Sequence, residues 1–220
     1  MTEHGNIAIN GGFAAIMSGI FVQALEPLVK LPAGYTELPY VSSVYQGGYV
    51  DTGVAPSDTL GVKTSFKMQA VNSVDVSLLG AREDSGDTRY VLSLYNGTAG
   101  FSWRTFVSSA QRVTVAADTW YQAVCNWKNS RKWSINDVTR SVSDTQVQFT
   151  KTIQLFGSNR ATGYGTAIEC SLGRTAFTLD ADVIADMVPC KDSNDVVGFY
   201  DVVRKEFFTS ANGIDLIAGS

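Results

Sequence analysis

The stretch Trp120 to Val138, WYQAVCNWKNSRKWSINDV, leaves a chain few ways to fold. Tyr121, Ala123, Cys125 and Trp127 share one side, and Trp120, Gln122, Val124 and Asn126 the other, which is the two-residue period of a strand. Lys128, Asn129, Ser130 and Arg131 supply a polar, flexible connection. The alternation then resumes, with Trp133 and Ile135 inward and Lys132, Ser134 and Asn136 outward. Three of the four tryptophans fall inside this stretch, so the pattern predicts a hairpin at the centre of a sheet.

Strand signals continue on both sides of it. Leu31 to Tyr35 reads as a turn, and Leu38 to Val44 as the next extended piece. Val62, Thr64, Phe66 and Met68 alternate with Lys63, Ser65 and Lys67. Val74 to Leu79 is a further strand, and Tyr90 to Tyr95 and Phe101 to Phe106 pair around Asn96-Gly97, a strong hairpin signal. Val147 to Gly157 and Ala167 to Leu179 supply more strands, and Asn212-Gly213 a late turn. Charged residues make up 17% of the chain, below the usual ~25%, as suits strands whose polar faces are rich in hydroxyl groups. Many short strands with frequent turns predict an all-β, two-sheet antiparallel jelly-roll sandwich over residues 31–220.

Residues 1–30 differ in character. Phe13 to Glu26 predicts a short helix of about four turns, capped by Asn10 and stopped by Pro27. Phe13, Ile16, Met17, Ile20, Phe21 and Leu25 make its apolar surface wider than a one-sided helix needs. A secretory signal has a basic leader, whereas no Lys or Arg precedes Phe13. The segment is therefore expected to bury itself against copies of the chain or a host structure.

Charge and composition narrow the chemistry. A net charge of −4 and a pI near 5.0 lack the basic footprint that nucleic acid requires. No run of about 18 apolar residues predicts a membrane span. The single histidine, His4, lies in the polar leader, which leaves no Ser-His-Asp triad or His-based zinc site in the predicted sandwich. Three cysteines, Cys125, Cys170 and Cys190, cannot all pair within one chain and read as small buried hydrophobes. Glycan hydrolysis needs two carboxylates across the scissile bond. Asp180 and Asp182 have such a spacing but read instead as caps of a helical turn at Val183 to Met187. Glu83, Asp84 and Asp87 offer oxygens for calcium, but Arg82 and Arg89 flank them and six to eight ligands are needed. No catalytic residue, metal or cofactor is expected. Sugar binding calls for exposed aromatic rings beside planar polar groups, for which Tyr95, Trp103, Arg104, Arg160 and Tyr164 are the candidates. Asp51 and Asp201 read as turn formers, and Asn96-Gly97-Thr98 as a turn.

Three separated motifs share an order with a known group of domains. Leu31-Pro32-Ala33-Gly34-Tyr35 runs on through Leu38 and Tyr40 to Tyr49-Val50-Asp51-Thr52-Gly53. Trp120-Tyr121, Val124 and Trp133 to Asn136 form the middle. Val188-Pro189-Cys190, Gly198-Phe199-Tyr200-Asp201-Val202-Val203 and Phe207-Phe208-Thr209 close the chain. In this respect residues 31–219 resemble the concanavalin A-like, laminin-G-like jelly-roll domains of phage tail, fibre and surface proteins. The resemblance implies a virion structural protein, assembled in the bacterial host cytoplasm, whose partners are other virion proteins and copies of itself. The habits of viral fibres imply a homotrimer, and an outward sandwich implies host-surface polysaccharide as a ligand. A secreted bacterial carbohydrate-binding or adhesion module is the alternative, and a glycanase the third.

Overall fold

The computed structural model describes residues 30–44, 47–70, 76–83, 88–103, 107–126, 132–141, 149–158, 169–180 and 182–220. The helix expected over Phe13 to Glu26 lies outside them. So do Trp127 and the polar connection after it, Asp84 and Asp87, and Arg104, Arg160 and Tyr164. Leu31–Ser220 form one compact unit.

In chain order the first strands are β1 (Tyr35–Glu37), β2 (Val41–Ser43), β3 (Val50–Asp51), β4 (Leu60–Met68), β5 (Val76–Arg82) and β6 (Arg89–Tyr95). Next come β7 (Thr98–Trp103), β8 (Val113–Thr114), β9 (Trp120–Asn126), β10 (Lys132–Ile135), β11 (Val138–Ser141) and β12 (Gln154–Leu155). The last are β13 (Cys170–Leu179), β14 (Asp182–Asp192), β15 (Val197–Asp201), β16 (Glu206–Phe208) and β17 (Ile217–Ala218). The larger sheet runs β11-β10-β9-β4-β13-β14-β15-β16, with β1 on β14 and β2 between β13 and β17; the smaller runs β3-β12-β5-β6-β7-β8. Among the described residues every pairing is antiparallel. The result is the all-β, two-sheet sandwich that the strand pattern predicts, compatible with a jelly roll.

Side-chain parity sets the core. On β4, Val62, Thr64, Phe66 and Met68 are buried while Lys63 is exposed. On β9 and β10, Ala123, Cys125, Trp133 and Ile135 are buried and Gln122, Asn126 and Lys132 exposed. Tyr90 joins the two sheets from β6, its ring 4.8 Å from Phe101 and 5.6 Å from Trp103. Its hydroxyl reaches toward the Cys125 thiol across the core.

Turn chemistry fixes the registers. Asn96 and Gly97 have φ of 48° and 65°, the positive pair that a two-residue type I′ hairpin demands. Asn136, φ 48°, turns β10 into β11 and folds back on β9: its backbone N–H donates to Gln122 O at 2.8 Å, and its side-chain oxygen accepts from Gln122 N–H at 2.9 Å. Gly34, φ 95°, makes the expected turn before β1.

Three expectations change. The Trp120–Val138 hairpin is not the centre of its sheet; β4 and β13 are, and β9 and β10 lie toward the β11 edge. Alternation reports which face a residue takes, not which neighbour its strand finds. Val183 to Met187 is part of strand β14, not a helical turn, because pairing with β13 on one side and β15 on the other outweighs the local preference of Ala185 and Met187. Asp180, φ 52°, is in the turn between β13 and β14 and caps no helix. Within the strand expected at 147–157, the described pairing is confined to Gln154–Leu155.

Gly80 shows how tightly the smaller sheet is built. A Cβ there would lie 2.4 Å from Tyr90 O and 2.8 Å from Val91 Cα. Both are backbone atoms in the paired strand and cannot rotate aside. Gly80→Ala is expected to cost about 1–3 kcal/mol, read as a lower urea midpoint.

The three cysteines are buried and free, as the sequence predicts. Burial pushes the Cys170 thiol up to about 12. It does the same for Cys190, again to about 12, where the charges of Asp192 and Glu37 add to it. Burial also raises Cys125, partly opposed by the Tyr90 hydroxyl. Thiolate is the reactive form, so a thiol reagent at neutral pH should label none of the three in the folded chain. All three should label in denaturant; rapid labelling without denaturant would contradict this burial.

Candidate functional site

The first and last motif stretches meet at one rim of the sandwich. The Tyr35 ring lies 4.8 Å from Tyr200 and 5.0 Å from Phe207. β1 pairs with residues 190–192 of β14, placing Glu37 opposite Cys190, and just beyond it Leu38 N–H donates to Pro189 O at 2.9 Å. Asp51 accepts from Gly53 N–H at 3.0 Å. Asp201, whose side chain is wholly buried, accepts from the N–H groups of Asp186 at 3.0 Å, Val203 at 2.9 Å and Arg204 at 3.3 Å. The Arg204 guanidinium pairs with its other oxygen, donates to Thr52 O at 2.7 Å and covers the Phe208 ring at 4.7 Å. Arg174 forks onto Asp186 at 2.8 and 2.5 Å. Asp51 and Asp201 thus form turns, as the sequence predicts, and this rim is a closure of the fold in which Asp186 and Asp201 are engaged by arginines.

Burial raises the Asp201 carboxyl, but the hydrogen bonds from Asp186, Arg204 and Val203 outweigh it and hold the group below its ordinary value. At Glu83 burial likewise raises the carboxyl, and bonds from Thr150 and Lys151 bring it down on balance. Its two oxygens accept from the Thr150 N–H and hydroxyl and the Lys151 N–H. Glu83 therefore ties β5 to the segment before β12. Among the described residues no group of His, Cys, Asp and Glu has the arrangement of a metal site.

Of the predicted sugar-binding residues, the described two do not come together. Trp103 is 3% exposed and packs in the core against Tyr90 and Phe149, so as placed it offers no platform. It stands opposite Tyr90 on the inward face of β7. Tyr95, an odd number of residues from Tyr90, points outward and is 39% exposed. The Arg112 guanidinium lies 5.8 Å from its ring and also donates to Ser93 Oγ at 2.9 Å.

An unpredicted cluster stands on the outer face of the larger sheet. Trp120 is 38% exposed, directly opposite Lys67 on β4. Tyr40, just before β2, brings its ring 5.4 Å from the indole at an angle of 59°. The Lys67 Nζ lies 5.2 Å from the Tyr40 ring and 5.7 Å from the Trp120 ring. Gly219 makes room for this: a Cβ there would lie 2.5 Å from the tyrosine ring, and its N–H donates to Tyr40 O at 2.9 Å. The outward parity of Trp120 is legible in the sequence. Its partner Tyr40 comes from a distant strand and is not.

No protein-family model matches this chain, and no curated protein matches it. The class defined by its geometry is an antiparallel two-sheet β-sandwich with an exposed aromatic–lysine cluster on one outer face.

Proposed function

We propose that this chain is a bacteriophage virion structural protein: a fibre, decoration or receptor-binding subunit. Residues 1–30 hold it in the particle, through Phe13, Ile16, Met17, Ile20, Phe21 and Leu25, against other virion proteins and copies of itself. The sandwich faces outward, toward host-surface glycans. The observation that supports the reading is the meeting of the first and last motif stretches. Segments far apart in sequence, recognised only by their resemblance to phage jelly-roll domains, share one rim through Tyr35, Thr52, Pro189, Tyr200 and Asp201. The exposed aromatic–lysine cluster supports the outward, ligand-facing part of the reading.

Light scattering on the full chain and on Leu31–Ser220 tests it. The full chain is expected to form a defined oligomer, a trimer in the simplest case, and the sandwich alone a monomer. A monomer in both cases, without affinity for virion proteins, contradicts the assembly role. A secreted adhesion module would instead show a mature N-terminus beyond the expected helix on N-terminal sequencing. A glycanase would release reducing ends, and lose that activity on changing Asp180 or Asp182.

A further inference from the structure

We infer that Tyr40, Lys67 and Trp120 form a subsite for an acidic sugar residue, its ring against the indole and its carboxylate on the lysine ammonium. The inference rests on the reading of the sandwich as a glycan-facing domain and gives that reading a place and a ligand chemistry.

Three observations lead to it. The outward neighbours of Trp120 on β9 are Gln122 and Asn126, both exposed and polar, and the half-buried Val124 between them. The indole therefore serves no core and leaves 38% of its surface open. An amphipathic ring with few torsions, presented from a strand, binds with little loss of conformational freedom. The cluster is also preorganised: Trp120 is fixed by pairing with β4, and Tyr40 is held by Gly219 and by the indole. Affinity then loses little to ordering.

Charge selects the ligand. Lys67 lies over two rings and, among the described residues, has no carboxylate partner. An ammonium carries three donors and no acceptor, so its free valence suits an anion. One lysine in a chain of net charge −4 is not the basic footprint of a nucleic acid. The two rings are tilted at 59° to each other, so a saccharide face that rests on the indole meets the tyrosine ring with its edge. Ser65 and Gln122, directly opposite each other on β4 and β9, continue the surface with a hydroxyl and an amide for sugar hydroxyls.

The test titrates the full chain with two acidic probes and their neutral counterparts, followed by calorimetry and tryptophan fluorescence. The pairs are oligogalacturonate with its methyl ester, and sialyllactose with lactose. At least one acidic probe is expected to bind ten times more tightly than its counterpart. Lys67→Met should erase that difference, and Trp120→Ala should abolish binding, with thermal midpoints confirming that both variants fold. Equal binding within both pairs, or an unchanged preference in Lys67→Met, overturns the acidic-sugar assignment. No binding of any probe overturns the subsite. Adsorption to intact bacteria separates this from failure of the parent reading: adsorption unchanged in Trp120→Ala removes the subsite alone, and no adsorption by the parent chain removes both.

Discussion

Trp133→Ala should cost the fold about 3–5 kcal/mol, whereas Trp120→Ala should cost about 1 kcal/mol, the scale of an exposed cation–π contact. Both residues come from the same hairpin and differ by the face on which alternation puts them. Trp133 is 2% exposed, stands opposite Cys125 and fills the space between the sheets where β10 faces β7. Truncation there removes a large apolar transfer term and leaves a cavity that paired strands on both sides cannot close. Trp120 touches Tyr40 and Lys67 on an open face, and water replaces it. Urea denaturation of the two variants, followed by circular dichroism, gives the comparison. Similar losses in both would mean that the hairpin is not two-sided.

The second large effect is at Asp201. Removing its carboxylate in Asp201→Ala leaves the Arg204 guanidinium without its counter-ion and three N–H groups, those of Asp186, Val203 and Arg204, without their acceptor. The guanidinium, 27% exposed, can turn to water, but the three orphaned N–H groups at about 1–3 kcal/mol each put the loss at about 3–5 kcal/mol. The pH dependence follows from the direction of its shift. The folded carboxyl titrates below its ordinary value of 3.8, so the unfolded chain takes up the proton first as acid is added. The stabilisation is complete above the ordinary carboxylate range and is lost as pH falls through the folded value. Asp201→Asn keeps the shape and one acceptor oxygen, and should lose about 1.5–3 kcal/mol, the worth of hydrogen bonds to a charged group. It should also lack this acid-dependent component. Urea midpoints between neutral pH and pH 3 measure both. An acid profile identical in Asp201→Asn and the parent would show that the network does not hold the rim.

Much of the fold is legible in local chemistry. Asn96-Gly97 specifies its hairpin because few residue pairs tolerate two positive φ angles. Val62 to Met68 and Trp133 to Ile135 announce their buried faces through a period of two. Asp51 and Asp201 read correctly as turn formers because short carboxylates reach backbone N–H groups two residues on. Legibility ends where partners are distant. Nothing local puts β4 and β13 at the middle of the larger sheet, and nothing in Val183 to Met187 reveals that β13 and β15 claim it as a strand.

The site was harder to read for the same reason. The sequence around Trp103 does not say which face of its strand the ring takes. Only the register from Asn96-Gly97 to Tyr90, opposite Trp103, decides that the tryptophan goes in. Trp120 was legible as an outward ring on a polar face, but a lone ring is no site. The juxtaposition with Lys67 needs the β4–β9 pairing, and that with Tyr40 needs β2 at the head of β13, where Leu172 stands opposite Val41.

Membership of a virus particle is tested most directly by peptide mass spectrometry of particles purified from a lysate of cells that carry the gene. A virion subunit is expected there in a fixed ratio to the major shell protein, with peptides from both 1–30 and 31–220. Absence from the particles, with the chain free in the medium and cut beyond the expected helix, would contradict the virion reading and favour the secreted adhesion module.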